Sequence, residues 1–136
     1  MSNFRNLLVY KKAFALAMRI FAITKSFPKE EKYSLTDQIR RSSRSVCSGI
    51  GEAYRKRRYL AHFVSKLSDS DSENSETQVW LDFSLTCNYI KKNTHDDLLS
   101  ASEEVGKLLN DMINCPEKYA WFQSAVGSLL TVDWRL

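Results

Sequence analysis

Glycine and proline are scarce here, with four and two in 136 residues. β-Proteins need turn residues at frequent intervals, so this scarcity argues against them and for long helices. Only Pro28 and Pro116 punctuate the chain. Histidine is equally rare. His62 and His95, with Cys47, Cys87 and Cys115 scattered and none in a C-x-x-C pair, make no zinc pattern. The three cysteines read as reduced, mostly buried thiols. No apolar run approaches the ~18 residues of a membrane span. The start, Met1-Ser2-Asn3-Phe4-Arg5, has no basic region, apolar block and small-residue cleavage site of a signal peptide. The expected location is the cytoplasm, with no membrane partner. No internal repeat is visible.

What is present is charge, unevenly placed. Residues 1–66 hold 15 Lys and Arg against 4 Asp and Glu, net +11; residues 67–136 hold 5 against 12, net −7. A half-basic, half-acidic chain points to internal pairing, self-association or a polyanion partner for its basic half.

Helical periodicity organises most of the chain. The first helix is expected over about residues 4–26. Tyr10, Phe14, Ala17, Phe21 and Thr24 form its core stripe, widened by Ala13 and Ile20, and Phe27-Pro28 ends it. The second is expected to start at Ser34, whose hydroxyl would cap it, with Asp37 in its first turn. Leu35, Ile39, Val46, Ile50 and Ala53 mark its apolar line. Gly49 and Gly51 each cost roughly 1 kcal/mol against alanine in a helix, which implies close approach by a neighbour within the bundle or in another subunit.

The third helix begins near Tyr59, with Leu60, Phe63, Val64 and Leu67 on its apolar face. Residues 68–76 come next, all Ser, Asp, Glu or Asn. By composition they read as a solvated linker; with helical periodicity on both sides, they equally read as the middle of one long helix. Asp69, Asp71 and Glu73 do not make a calcium loop, which needs glycine at its sixth position and an acid at its twelfth. Periodicity resumes with Val79, Trp80, Phe83, Thr86, Cys87 and Ile90. The fourth helix is expected to open at Thr94 with Asp97 behind it, to carry Leu98, Ala101, Val105, Leu108, Leu109 and Met112, and to end at Cys115-Pro116. Short links force antiparallel neighbours, so the expected fold is all-α: an antiparallel up-down-up-down four-helix bundle over residues 1–119. The tail, residues 120–136, carries Trp121, Phe122, Leu129, Leu130, Val132 and Trp134 and is expected to pack on the bundle or on a neighbouring subunit.

Catalysis has little to stand on. No Glu lies three residues before either histidine, so no di-iron Glu-x-x-His pair exists. The serines lack a recognisable base and oxyanion partner. The expectation is a non-enzyme without cofactor or metal. Arginine is the stronger signal: Arg40, Arg41 and Arg44 share the second helix with Arg55, and Lys56, Arg57 and Arg58 come after it, flanked by Tyr54 and Tyr59. Arginine forks match phosphate oxygens and stack on bases. Basic residues also complement a helix C-terminus, and these could pair with the acidic third helix. Both readings stand, and they are compatible.

Ser26-Phe27-Pro28, Tyr33-Ser34-Leu35, Gln38-Ile39-Arg40-Arg41-Ser42-Ser43, Glu52-Ala53, Glu73-Asn74-Ser75-Glu76-Thr77-Gln78-Val79-Trp80-Leu81, Cys87-Asn88-Tyr89-Ile90 and Ile113-Asn114-Cys115-Pro116-Glu117-Lys118 occur in a characteristic order. With them the chain resembles, over about residues 4–119, the four-helix bundle proteins encoded in 23S ribosomal RNA intervening sequences. Relatives of that family include the accessory variability protein of diversity-generating retroelements. The resemblance implies a long third helix that includes the acidic stretch, no enzyme activity, and a homo-oligomer, a ring-like pentamer with a basic surface. It implies RNA or DNA as partner, or a reverse transcriptase docked on a scaffold. Many relatives carry Pro-Ser-Asn-Ile-Ala-Glu-Gly where this chain has Cys47-Ser48-Gly49-Ile50-Gly51-Glu52-Ala53, and the tail has no counterpart among them.

Overall fold

The computed structural model describes residues 3–119. The tail expected to pack on the bundle, residues 120–136, lies outside the described residues. After a single 3-10 turn at Phe4–Asn6 come four helices: α1 Leu8–Thr24, α2 Leu35–Arg55, α3 Leu60–Thr86 and α4 Lys92–Asn114. Each packs on the next and α4 closes on α1, while neither diagonal pair approaches. That is the square of an up-down four-helix bundle.

Buried positions explain the packing. Along α3 they are Phe63, Leu67, Ser70, Asn74, Thr77, Leu81 and Ser84; along α4, His95, Leu98, Ser102, Val105, Leu109 and Met112. Both rows advance by alternating steps of three and four. This 3.5-residue period keeps one seam facing its partner over many turns. Phe63, Leu67, Val46, Ile50, Val105 and Leu109 belong to the larger apolar cluster, and Leu16, Ile20, Ile39, Leu81 and Leu98 form a smaller one. Between them lies a polar belt. Ser42 and Thr77 share a hydrogen bond of 2.8 Å. Asn74 donates to the Ser102 carbonyl and accepts from the Ser102 hydroxyl, both at 2.9 Å. Gln78 also donates to that hydroxyl. Every buried side-chain nitrogen and oxygen among the described residues has a partner, as a buried network must if it is not to destabilise.

The residues 68–76 are therefore helix, because their core-facing members, Ser70 and Asn74, are polar but satisfied. Gly49 serves the same contact. A β-carbon there would lie 2.1 Å from the Ser70 hydroxyl, which donates to the Val46 carbonyl. Gly51 instead faces the Phe4 ring, 3.4 Å from where its β-carbon would stand. Both close neighbours are within the bundle.

Several expectations shift. The α1 stripe is rotated: Val9, Ala13, Leu16, Ala17, Ile20 and Thr24 are buried, while Phe14 is about half exposed and Tyr10 and Phe21 lie at the flank. The aromatics are too large for the close α1–α2 approach and line its outer edge. Ser34 does not cap α2; its hydroxyl donates to Glu31, whose carboxylate also accepts from the Leu35 N–H at 3.2 Å. Glu31 is thus the cap, and its other oxygen accepts from the Tyr89 hydroxyl at 2.8 Å. These bonds hold the Glu31 carboxyl below its usual range. α4 opens two residues before Thr94, at Lys92. α3 ends with Asn88 at φ 62°, where the Asn88 and Tyr89 N–H groups reach back to the Leu85 and Ser84 carbonyls. This is the left-handed stop that asparagine tolerates.

Candidate nucleic-acid interface

The seven basic residues singled out in the sequence lie on α2 and the turn after it, and they separate by face. Arg41 turns toward α3 and pairs with Glu73 and Glu76. This is the pairing with the acidic third helix that its charge allowed. Arg40 and Arg44 turn the other way, toward α1. The Arg40 Nε donates to the Thr24 hydroxyl at 2.8 Å, and its guanidinium lies 4.8 Å from the Phe21 ring centre. The Arg44 guanidinium lies 5.5 Å from the same ring, and Lys25 adds a third cation at 4.9 Å. Three cations thus share the negative face of one ring.

Arg44 and Arg55 are eleven residues apart, three turns, and both line the α1–α2 groove. Its volume is about 550 Å³, and its floor is apolar: Tyr10, Phe14, Met18 and Cys47 among others. Glu52 also lines it, and pairs with Lys66 of α3 at 3.3 Å. Among the described residues Arg40, Arg44 and Arg55 have no carboxylate partner. Lys56 is exposed at the end of α2. Arg57 folds back over the Tyr54 ring, 3.6 Å from its centre, and donates to the Tyr54 carbonyl. Arg58 is exposed in the same turn. The structure therefore gathers Arg40, Arg44 and Arg55 on one side, with 56–58 at its end, and sends Arg41 away.

Phe21 and Lys25 complete the cluster, and sequence reading misses both, because periodicity alone puts Phe21 in the core stripe. A signal is nevertheless present: Phe21, Lys25, Arg40 and Arg44 sit on either side of the one α1–α2 link. The remaining reactive side chains are separate. Burial pushes the Cys47 thiol up to about 11, which keeps it neutral and unreactive near pH 7. Cys87 is exposed, contrary to the expectation of mostly buried thiols, because the α3 helix ends there. His62 is exposed and meets only the edge of the Tyr59 ring in its aromatic contacts. Among the described residues no group of three or more His, Cys, Asp or Glu could hold a metal ion, and no helix is long and apolar enough to cross a membrane.

The model of the 23S rRNA-intervening sequence protein family matches residues 5–111. The chain belongs to that family. A crystal structure of a protein of unknown function from the S23 ribosomal protein family of Bacteroides thetaiotaomicron is similar throughout the bundle. Identity is 30%, the TM-score is 0.72, and the match covers 79% of this chain and 96% of that one. No curated protein matches. The family member thus shares the bundle, and this chain adds residues beyond it.

Proposed function

We propose that this family member is a non-enzymatic, oligomeric protein that binds RNA or DNA phosphates through the α1-facing side of α2. One observation carries the reading. Arg40, Arg44 and Arg55 line a single helix face beside Lys25, and among the described residues no carboxylate pairs with them. Guanidinium groups held over a ring keep their donors free at the edge for phosphate oxygens. Lys56, Arg57 and Arg58 extend the positive field past the helix end. One such patch is modest; a ring of copies, a pentamer by family resemblance, would sum it, because linked sites bind far more tightly than one.

Binding of a labelled RNA duplex measured between 50 and 200 mM salt tests this. With three phosphates neutralised by a single protomer, affinity falls roughly 40-fold over that range, and more steeply when several protomers engage one duplex. Replacing Arg44 and Arg55 by Gln lowers the salt slope by about two. Arg41→Gln leaves it unchanged, because that charge is already paired. Binding that is absent, or indifferent to salt, overturns the reading.

A second reading is a protein scaffold that docks a reverse transcriptase or another protein. The exposed Val79 and Phe83 on α3 favour it. A neighbouring reverse transcriptase gene with a template repeat would support the scaffold, and an embedding rRNA gene the first reading.

A further inference from the structure

We infer that the α1–α2 groove takes unstacked bases of a single nucleic-acid strand, whose phosphates lie on the arginines of α2. This rests on the nucleic-acid reading above and narrows it, from phosphates in general to a strand with free base faces.

The groove has two unlike walls. Aromatic rings stand on one. Phe4 meets the Tyr10 ring edge-on at 5.1 Å, and Tyr10 stacks with Phe14 at 5.9 Å and 28°. All three line the groove, and Phe14 is 49% exposed. On the α2 wall Arg44 and Arg55 are both exposed, about 16 Å apart along the helix axis. Among the described residues neither has a carboxylate partner, and Glu52, which also lines the groove, is engaged by Lys66 at 3.3 Å. Exposed Lys11 and Lys25 add charge of the same sign. They stand three residues before Phe14 and four after Phe21, spacings that put them on the aromatic edge of α1.

Each wall answers a different part of a strand. Guanidinium forks match phosphate oxygens, and aromatic faces match bases. Phosphates alone would leave the rings and the apolar floor without a ligand. A duplex offers its phosphates to the arginines but keeps its base faces stacked inside, with only their edges in its grooves. A single strand complements both walls. The dimensions agree. The span from Arg44 to Arg55 is the reach of a few nucleotides, and a volume of about 550 Å³ lies in the range that encloses small organic ligands. A lipid chain would fill the floor, but its charge sits at one end and leaves one of the two arginines unused. The two outer rings also differ in use. Phe21 is already faced by Lys25, Arg40 and Arg44. Among the described residues no cation lies over the Phe14 ring, which leaves its exposed side to a base.

Binding of the full chain to three labelled RNA probes of about 12 nucleotides tests the groove: an unstructured single strand, the same strand with its bases removed, and the duplex. The intact strand should bind at least about fivefold more tightly than the abasic one, which carries the same phosphates. Phe14→Ala should remove that margin, leave duplex binding unchanged and keep the circular dichroism of the bundle. Phe14→Trp should retain the margin, as should Phe83→Ala on the exposed side of α3. Arg44→Gln should weaken all three probes. Equal binding of the intact and abasic strands overturns the groove assignment and leaves the phosphate reading standing. So does a Phe14→Ala variant that weakens strand and duplex alike, or neither. Binding of none of the three probes overturns both. A free nucleotide that binds as tightly as the strand also overturns the assignment, by giving the pocket to a small molecule. If Phe14→Ala does not fold, Phe14→Leu, which keeps apolar bulk without a ring face, takes its place with the same outcomes.

Discussion

Helices α2 and α3 form the most extensive contact in the bundle, yet the buried side of α3 is the more polar. α2 turns Leu35, Ile39, Val46 and Ile50 inward and its arginines outward. α3 does so with Phe63 and Leu67 in its first turns and once more with Leu81. Further along it buries Ser70, Asn74, Thr77 and Ser84, and leaves Val79 and Phe83 about half exposed. Burial on a long helix thus follows the seam set by its neighbours rather than the hydrophobicity of each residue. A polar side chain is tolerated in the seam when a partner across it completes its hydrogen bonds.

Two phenylalanines of α3 give the sharpest contrast. Phe63 is fully buried and Phe83 is 53% exposed. Phe63→Ala should destabilise by about 3–5 kcal/mol in urea unfolding. Phe83→Ala should change stability by no more than about 0.5 kcal/mol. Similar effects at the two sites would mean that Phe83 is covered, for instance by another copy.

The polar belt comes next in size. Asn74→Ala removes two hydrogen bonds to Ser102 and leaves buried groups unpaired, which should cost about 1–3 kcal/mol. No loss of stability would show that α3 is held by its apolar turns alone.

The smallest effect tests the far end of α3, where His95 of α4 is buried between two carboxylates. One ring nitrogen lies 2.9 Å from Asp82 and the other 3.1 Å from Asp96. Asp96 also pairs with Lys92. The hydrogen bond to Asp82 leads in raising the His95 pKa above its usual value near 6.5, against the opposing effect of burial. The folded-state pKa lies above the unfolded one. The stabilisation is therefore fully present below about 6.5 and is lost as pH rises through the folded value. The melting temperature should fall modestly across that window, and His95→Gln should flatten the decline. A profile identical in the variant would leave the carboxylate contacts without energetic weight.

Much of the bundle was legible in the residues. α2 and α4 were readable because their inward positions are mostly apolar and recur at helical spacing. The middle of α3 was ambiguous because Ser70 and Asn74, which define its buried side, have the composition of a linker; periodicity on both sides left a helix open, and the family resemblance favoured it. On α1 the rule that large apolar residues face inward misplaced Tyr10, Phe14 and Phe21. The buried side of that helix carries Ala13 and Ala17 among its residues, and the aromatics fall at its edge. The Ser34 cap failed because its hydroxyl donates to the Glu31 carboxylate, which itself takes the Leu35 N–H.

The candidate interface was half legible. The spacing of Arg44 and Arg55 fixed their shared direction, since eleven residues is three helical turns. It could not separate Arg40 from Arg41, which are adjacent yet face opposite neighbours, one the Phe21 ring and the other the Glu73 and Glu76 carboxylates.

By itself the sequence determined helix content, the order of four helices, their up-down connection and the basic character of α2, because those arise from local periodicity, short links and charge. The tertiary structure alone decided which side of α1 and α3 is buried and which arginines stay available. Those depend on the shape and charge of what lies across each seam, which no local pattern contains.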